Sequence, residues 1–318
     1  MNAGNKCTLL AFLDRIGLYA EAEALIAREP SAEDLSKLLH AFLLTVPFEN
    51  LGQHAHPALG DSVAAVPAAK HIPSLDVHKT LKKVVYDRRG GFCFELNFAF
   101  AWLLRSLGYK VRLSISYVIT PGGPVPGHLA LFVDGLGPQP LHVDPGFGDA
   151  PREPMAAVLG STVTDSMIGD AYSFAPNDDP SAFGQTPEMA KRCGQVLMRS
   201  RKSGFGGSVM VDFVGLPETP PPAPEMTPPE PVYLVNFDDD LALDCDEFKA
   251  GIAGVLADVE QNPFSQKRMC IMMREEGFDF VGKDYVKEMR HGKEVKREPL
   301  KDEAAYREAL KQVAGITL

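Results

Sequence analysis

The chain has 318 residues, of which 45% are hydrophobic and 23% are charged, and its formal net charge is -10. This composition is typical of a globular protein with a large core or two to three subdomains. The negative charge argues against nucleic acid or an anionic membrane as the main partner, although a local basic patch can still bind an anionic cofactor.

Cysteine usage and the terminal sequence indicate the compartment. The five cysteines are scattered and form no C-x-x-C pair: Cys7, Cys93, Cys193, Cys245 and Cys270. That pattern fits neither a zinc site nor a disulfide framework, so we expect a reduced, cytoplasmic protein without a metal. His54 and His56 have no second ligand pair at a metal-binding spacing and are expected to be exposed. We expect no signal peptide, and no apolar run approaches the roughly 20 residues that span a bilayer.

Helical periodicity dominates the first hundred residues. The spacing of apolar residues predicts helices over 8–16, 33–44, 76–85 and 93–106. Ser31 is the expected N-cap of the second helix, and Gly108 is the expected stop of the fourth. One face of the second helix consists of Leu35, Leu38, Leu39 and Phe42.

The periodicity then changes from helical to alternating. Residues 110–118 read KVRLSISYV, in which every second residue is apolar, and this predicts a half-buried strand. The proline- and glycine-rich segment 120–127 is expected to form a loop, and the apolar segments 128–134 and 141–144 to form the next two strands.

The remaining third of the chain is predicted in less detail. Residues 217–231 hold eight of the 26 prolines, which predicts an exposed, extended connector. After it we expect a strand, an amphipathic helix, two or three strands with turns at 276–277 and 291–292, and a closing helix. These expected elements span 232–238, 246–260, 268–300 and 302–315.

The segment 88–97, RRGGFCFELN, carries the strongest functional signal. It places Cys93 after a Gly-Gly turn and at a predicted helix start, where the helix dipole favours a thiolate. His128 and Asp144 follow on short strand-like segments. A nucleophilic thiol, a base and a residue that orients the base are the groups of an acyl-transferring enzyme. A cysteine on a helix N-terminus packed against strands that carry His and Asp is a papain-like arrangement within an α+β fold.

These residues resemble the arylamine N-acetyltransferases over most of the chain. The resemblance rests on motifs in the same order: VPFENL (46–51), RGGFCFELN (89–97), GHLALFV (127–133), VDPGFGD (143–149) and NPFSQKRMC (262–270). It implies a papain-like cysteine-enzyme core made of an N-terminal helical bundle, a middle antiparallel β-barrel and a C-terminal α/β lid. We place these at 1–108, 109–216 and 217–318, with the proline-rich connector opening the third part. Cys93, His128 and Asp144 are the implied catalytic residues.

The resemblance also implies the substrates. Acetyl-CoA, or another acyl-CoA such as propionyl- or malonyl-CoA, would acylate the cysteine, and an arylamine or arylhydrazine would then accept the acyl group in a ping-pong cycle. Phe48 and Gly127 are the candidate substrate-binding residues. Two features depart from the family pattern: Pro145 stands where valine is more frequent, and the segment 195–232 is longer and richer in proline.

The sequence also leaves open the roles of neighbouring polar residues and two alternative functions of the protein. We expect Arg89 and Glu95 to form structural ion pairs, and Glu49 and Asn50 to form local hydrogen bonds. The same residue order also occurs in cysteine hydrolases of papain or transglutaminase type, and a non-catalytic binding protein with an unreactive Cys93 is a third possibility. The apolar flanks of the motifs, namely Phe92, Phe94 and Phe147, favour transfer over hydrolysis because they exclude water.

Overall fold

The computed structural model describes residues 3–52, 75–120, 122–148, 151–202, 226–255 and 267–318. His54, His56 and most of the predicted proline-rich connector lie outside these ranges, as does the end of the helix predicted at 246–260. Within the described ranges, no helix is both long and apolar enough to cross a membrane.

The N-terminal part is a helical bundle, as the periodicity predicts. Its helices are α1 (Ala3–Arg15), α2 (Ala22–Ala27), α3 (Ala32–Leu43), α4 (Val77–Leu81) and α5 (Cys93–Ser106). The Ser31 hydroxyl caps α3 by accepting the N–H of Asp34 at 3.1 Å, and the apolar face predicted for this helix is fully buried. Helix α4 continues as a π-helical turn, Lys82–Tyr86. Gly108 follows α5 with a φ of +92°, a conformation that favours glycine.

The middle part is an eight-stranded antiparallel sheet that nearly closes into a barrel. The strands are β2 (Lys110–Thr120), β3 (Gly123–Asp134), β4 (Leu141–Val143), β5 (Met155–Ala156), β6 (Thr162–Thr164), β7 (Ala171–Pro176), β8 (Gln195–Ser200) and β9 (Glu230–Val235). Their order in the sheet is β5-β4-β3-β2-β9-β8-β7-β6. A short helix, α6 (Pro187–Arg192), precedes β8.

Two expectations about this sheet are wrong. The predicted loop 120–127 is short, because β3 begins at Gly123 and pairs with β2 from its first residue. The strand at 110–118 is not half-buried: Ser114 and Ser116 are 0% exposed. Leu113 and Ile115 on one face of β2 join the core shared with the helices, while the serines face the barrel interior, so both faces are covered.

The strand predicted at 232–238 is β9, which spans Glu230–Val235 and belongs to the barrel sheet, not to the C-terminal sheet. In β9, Leu234 pairs with Tyr117 of β2 and with Val196 of β8. This pairing places residues 230–235 in the eight-stranded sheet, beyond the boundary that the sequence suggests at 216/217. The division into 1–108, 109–216 and 217–318 otherwise stays a prediction.

The C-terminal part packs a helix on a second antiparallel sheet. Four strands follow α7 (Asp246–Val255), where the sequence predicts two or three: β10 (Met269–Arg274), β11 (Gly277–Gly282), β12 (Tyr285–Arg290) and β13 (Lys293–Pro299). The missed turn lies at Lys283 and Asp284. A two-residue strand, β1 (Phe48–Glu49), pairs with β10 at the sheet edge. The closing helix predicted at 302–315 is α8 (Glu303–Ala314), with Asp302 as its N-cap and Gly315 as its C-cap.

The loop before α5 is fixed by the PFENL segment. Gly91 forms a parallel bridge with Phe48, and the N–H of Glu49 donates to the Gly91 carbonyl at 2.9 Å. The Glu49 carboxylate is 0% exposed, accepts a 2.8 Å hydrogen bond from Arg89 and lies 3.4 Å from the Lys83 ammonium. Burial alone would raise the pKa of Glu49, but Lys83 and Arg89 lower it. The carboxylate therefore stays charged inside the protein.

We expect Gly90→Ala to destabilise this loop, because a Cβ at Gly90 would lie 1.9 Å from the Pro47 carbonyl oxygen. The backbone must shift, and such overpacking costs roughly 1–3 kcal/mol. Gly137→Ala is the matched control, since a Cβ there meets nothing within 4 Å. Urea unfolding of both variants measures the cost, and equal free energies of unfolding would contradict this account of the loop.

Candidate active site

Cys93 is the first residue of α5 and is 5% exposed. The residue before it, Phe92, is the N-cap, and its N–H donates to the Glu95 carboxylate at 2.9 Å. The Lys83 ammonium donates to the same carboxylate at 2.8 Å. The Cys93 thiol donates to the carbonyl oxygen of Gly127 at 3.5 Å. The sulfur therefore lies at the positive end of the helix, against the residue that precedes His128.

A bulge in β3 brings the Gly127 carbonyl to the sulfur. The strand register pairs Ser116 with His128 and then Tyr117 with Pro126, so Gly127 has no partner on β2. An extra residue of this kind leaves the ladder locally unpaired and bends the strand. Gly127, a predicted substrate-binding residue, is thus placed in direct contact with the thiol.

His128 and Asp144 form a hydrogen-bonded pair, as the sequence predicts. His128 Nε2 lies 2.7 Å from Asp144 Oδ2, and the residues are 1% and 2% exposed. The imidazole is held edge-to-face by Phe147, with ring centroids 5.0 Å apart, and lies 5.4 Å from the Tyr233 ring. Because Nε2 is occupied by the carboxylate, Nδ1 is the nitrogen left for proton exchange with another group.

Asn97 is a site residue that the sequence analysis missed. It lies four residues after Cys93 and therefore on the same face of α5. Its amide nitrogen donates to Asp144 Oδ1 at 2.8 Å and to the Leu129 carbonyl, and its oxygen accepts the N–H of Gly146 at 3.0 Å. A Cβ at Gly146 would lie 2.6 Å from the Cys93 carbonyl oxygen, so glycine is needed where this turn meets the helix. The i+4 spacing in RGGFCFELN is the signal that identifies Asn97.

Phe48 lies beside the turn that follows Asp144. A Cβ at Gly148 would lie 3.8 Å from the Phe48 ring, and that ring is 6.0 Å from the ring of Phe92. Phe48 is 8% exposed. The second predicted substrate-binding residue is therefore close to the elements that carry the cysteine and the aspartate.

The neighbouring polar residues make structural contacts, as predicted, but the hydrogen bonds of Asn50 are long-range and not local. Arg89 donates to Glu49, and Glu95 binds Lys83 and the N–H of the α5 N-cap. Asn50 donates to the Lys267 carbonyl at 2.7 Å and accepts the Met269 N–H at 2.9 Å, which ties the PFENL segment to β10. Phe94 packs against Phe248 of α7 in the core.

The electrostatics of the thiol differ from the expectation of a lowered pKa. Burial raises the pKa of Cys93 well above its usual range, and the charge of Asp144 raises it further. The N–H groups of Phe94 and of Cys93 itself act in the opposite direction. For Asp144, burial opposes ionisation, but His128 is the largest of the contributions that lower its pKa. The carboxylate is thus ionised, whereas the thiol needs a paired cation to ionise.

The network extends into the barrel through Tyr233 and His142, two residues that the sequence did not identify as part of the site. The Tyr233 hydroxyl lies 3.0 Å from Asp144 Oδ2 and 2.7 Å from His142 Nε2. His142 Nδ1 in turn lies 3.1 Å from the Leu131 carbonyl oxygen. Both residues are buried. Among the residues that the structure describes, no group of His, Cys, Asp and Glu side chains is arranged to hold a metal ion.

Comparison with known proteins identifies a family that matches most of the chain. A model of the N-acetyltransferase family matches residues 31–318. An arylamine N-acetyltransferase of Mycobacterium tuberculosis is 32% identical over 160 residues, which are 48% of this chain and 50% of that protein. The chain thus spans about half the length of that relative.

The same fold occurs in solved structures of arylamine N-acetyltransferases. The Bacillus cereus enzyme superposes with a TM-score of 0.70 at 19% identity, with 100% of both chains covered, and is described as having a unique Cys-His-Glu catalytic triad. The Mycobacterium marinum enzyme in complex with CoA superposes with a TM-score of 0.67 at 22% identity, with 97% of this chain and 92% of that chain covered. The family match shows that the chain belongs to the N-acetyltransferase family, and the superpositions show that it has the fold of arylamine N-acetyltransferases.

Proposed function

We propose that the chain moves a short acyl group from an acyl-CoA to the nitrogen of an arylamine or arylhydrazine, through a thioester on Cys93. The observation that carries this proposal is the buried His128–Asp144 pair, joined at 2.7 Å, together with a thiol at a helix N-terminus that contacts the residue before His128. The names of the relatives support the acceptor class, and the CoA complex of the Mycobacterium marinum enzyme supports the donor. The cytoplasmic location stays a prediction from the free cysteines.

The first step is proton transfer from the thiol to His128 Nδ1. Burial opposes a lone thiolate, so the charge forms as a thiolate–imidazolium pair whose members stabilise each other. Asp144 stabilises the imidazolium through Nε2 and keeps the ring in the orientation that presents Nδ1.

The second step forms the acyl-enzyme. The Cys93 thiolate attacks the thioester carbonyl, the new C–S bond forms, and the CoA sulfur leaves with the proton from His128. The N–H groups of Cys93 and Phe94 have no carbonyl partner within the helix and lie close enough to the sulfur to lower its pKa, so they are the candidate donors to the developing oxyanion. Loss of one such donor typically costs roughly 3 kcal/mol in the transition state.

The third step transfers the acyl group to the amine. An arylamine is unprotonated at neutral pH, so its nitrogen attacks the acyl-cysteine while His128 accepts its proton, and the free thiol is regenerated. The aromatic rings of Phe48 and Phe147 flank the turn that carries Asp144. An apolar wall of this kind suits an aromatic acceptor and disfavours the water that a hydrolase needs.

We expect Cys93→Ala to abolish acyl-enzyme formation and leave the fold intact. Intact-mass spectrometry after incubation with acetyl-, propionyl- or malonyl-CoA separately detects the adduct, and its added mass identifies the donor. Cys7→Ala is the matched control, because Cys7 is exposed and lies in α1, a helix that carries none of the candidate catalytic residues. An adduct that persists in the Cys93 variant would overturn the covalent mechanism. Fast loss of the adduct without amine, unchanged when an arylamine is added, would favour a hydrolase instead.

The His128→Gln variant is expected to lose the reactive thiolate near neutral pH. Without the imidazolium, the buried thiol keeps a pKa raised above its usual range, so alkylation of Cys93 by iodoacetamide should appear only at alkaline pH. The wild type should already react at pH 6, because its thiolate is paired. Peptide mapping of alkylated cysteines at several pH values measures this, and superimposable wild-type and variant profiles would refute the Cys93–His128 pairing.

For Asp144, the charge and the geometry of the carboxylate are separable by substitution. We expect Asp144→Asn to lower the rate of transfer by a factor on the order of 10³–10⁴, since the neutral amide no longer stabilises the imidazolium. Asp144→Glu keeps the charge and should retain part of the activity. Single-turnover kinetics of acylation give the rates, and an active Asn variant would exclude this role of Asp144.

A further inference from the structure

A second histidine is linked to the candidate active site through the interior of the barrel. His142 on β4 is 1% exposed and makes two polar contacts, one to the Leu131 carbonyl and one to the Tyr233 hydroxyl. The same hydroxyl lies 3.0 Å from Asp144 Oδ2. None of the steps above uses His142 or Tyr233.

When His142 is neutral, this chain of contacts has fewer protons than it has possible hydrogen bonds. The Leu131 carbonyl only accepts, so His142 Nδ1 carries a proton and Nε2 of a neutral ring is an acceptor. The single hydroxyl proton of Tyr233 then goes either to His142 or to Asp144. If His142 also carries a proton on Nε2, that N–H donates to the Tyr233 oxygen and the hydroxyl donates to Asp144. The protonation of His142 therefore decides where the Tyr233 proton points.

The groups around the His142 ring determine which form prevails. The titratable groups that face it are Tyr233 on β9, His128 on β3 and Asp144 after β4. Its other neighbours are the rings of Phe132 on β3 and Phe174 on β7, each 5.5 Å away, and Met155, its partner on β5. Burial lowers the pKa of His142, and Asp144 opposes this effect. At neutral pH the ring is thus neutral, and its Nε2 competes with Asp144 Oδ2 for the Tyr233 proton.

We propose that His142 is a positioning residue for the acyl transfer, which weakens or strengthens the hydrogen bond from Tyr233 to Asp144 according to its own protonation state. The proposal rests on the proposed triad. With His142 neutral, its Nε2 draws the Tyr233 proton away from Asp144 Oδ2, so more of the carboxylate charge supports the imidazolium. With His142 protonated, the Tyr233 hydroxyl competes for Oδ2, and the His128–Cys93 ion pair is weakened.

The effect on rate follows from one hydrogen bond. A net contribution of one hydrogen bond corresponds to roughly a two- to tenfold change in the population of the reactive ion pair. Protonation of His142 adds this loss on the acid side of the pH profile, below the pH at which histidine ordinarily titrates. The loss falls in this lower pH range because the pKa of His142 is lowered.

Three variants of the full chain test the proposal through the pH dependence of Cys93 alkylation by iodoacetamide. His142→Gln offers an acceptor to Tyr233 but does not titrate, so it should match the wild type at neutral pH and lose the extra acid-side decrease. His142→Leu offers no acceptor, so Tyr233 donates to Asp144 at every pH and alkylation should be roughly two- to tenfold slower throughout. When Tyr233→Phe is combined with either His142 variant, residue 142 should no longer affect the alkylation rate, because the hydroxyl that links it to Asp144 is absent.

A merely structural His142 would lower stability without changing the shape of these profiles. If all the profiles have one shape and the Leu variant is not slower, the proposal is overturned.

Nuclear magnetic resonance of the wild type labelled with ¹⁵N-histidine gives a test that needs no variant of His142. At neutral pH the His142 ring should carry its proton on Nδ1, and the His128 ring signals should shift as His142 titrates. A proton on Nε2 of His142 at neutral pH, or His128 signals that ignore the titration, would overturn the proposal.

The two proposals fail in different ways. An unreactive Cys93 with His128 and His142 still coupled would refute the acyl-transfer function alone. A reactive Cys93 with uncoupled rings would refute the role of His142 alone.

Discussion

The buried carboxylate of Asp144 is the constraint on which the site depends. It is 2% exposed and receives hydrogen bonds from Asn97 of α5, His128 of β3 and Tyr233 of β9. An uncompensated buried charge costs several kcal/mol, and removal of a partner from such a group destabilises a protein by roughly 3–5 kcal/mol. The contacts that satisfy this charge therefore also fix the helix that carries Cys93 against the barrel that carries the histidine.

The sequence identifies the parts of the site whose signal is local. The Gly-Gly turn and the apolar run predict that α5 starts at Cys93, and the i+4 spacing is sufficient to place Asn97 on the same helix face. Tyr233 and His142 carry no such signal. They are 91 residues apart in the chain and meet only because the barrel brings β4 and β9 to the same interior. A tyrosine in an apolar strand and a histidine two residues before Asp144 both fit ordinary core positions.

The wrong predictions in the barrel have one physical cause. Alternation assigns the polar residues of a strand to solvent, which holds when one face of a sheet is free. Here the helices cover one face of β2 and the barrel interior the other, so Ser114 and Ser116 are buried. In the same way, the prolines of the segment 120–127 suggest a loop, but pairing with β2 from Gly123 onward extends the strand through them. Both errors arise from tertiary contacts that the local pattern does not contain.

Because the pKa of the thiol is raised, the N–H groups at the start of α5 have two roles in the proposed reaction, first at the thiolate and then at the oxyanion. The N–H groups of Cys93 and Phe94 offset part of the cost of burying a thiolate, though not all of it. In the proposed reaction the sulfur loses its charge when its bond to the acyl carbon forms, and the charge moves to the carbonyl oxygen. The N–H groups that stabilise the thiolate can then donate to the carbonyl oxyanion, which lies a short distance away. A deeply buried thiol that ionises only as a pair is therefore compatible with catalysis, because the preorganised donors follow the charge as it moves.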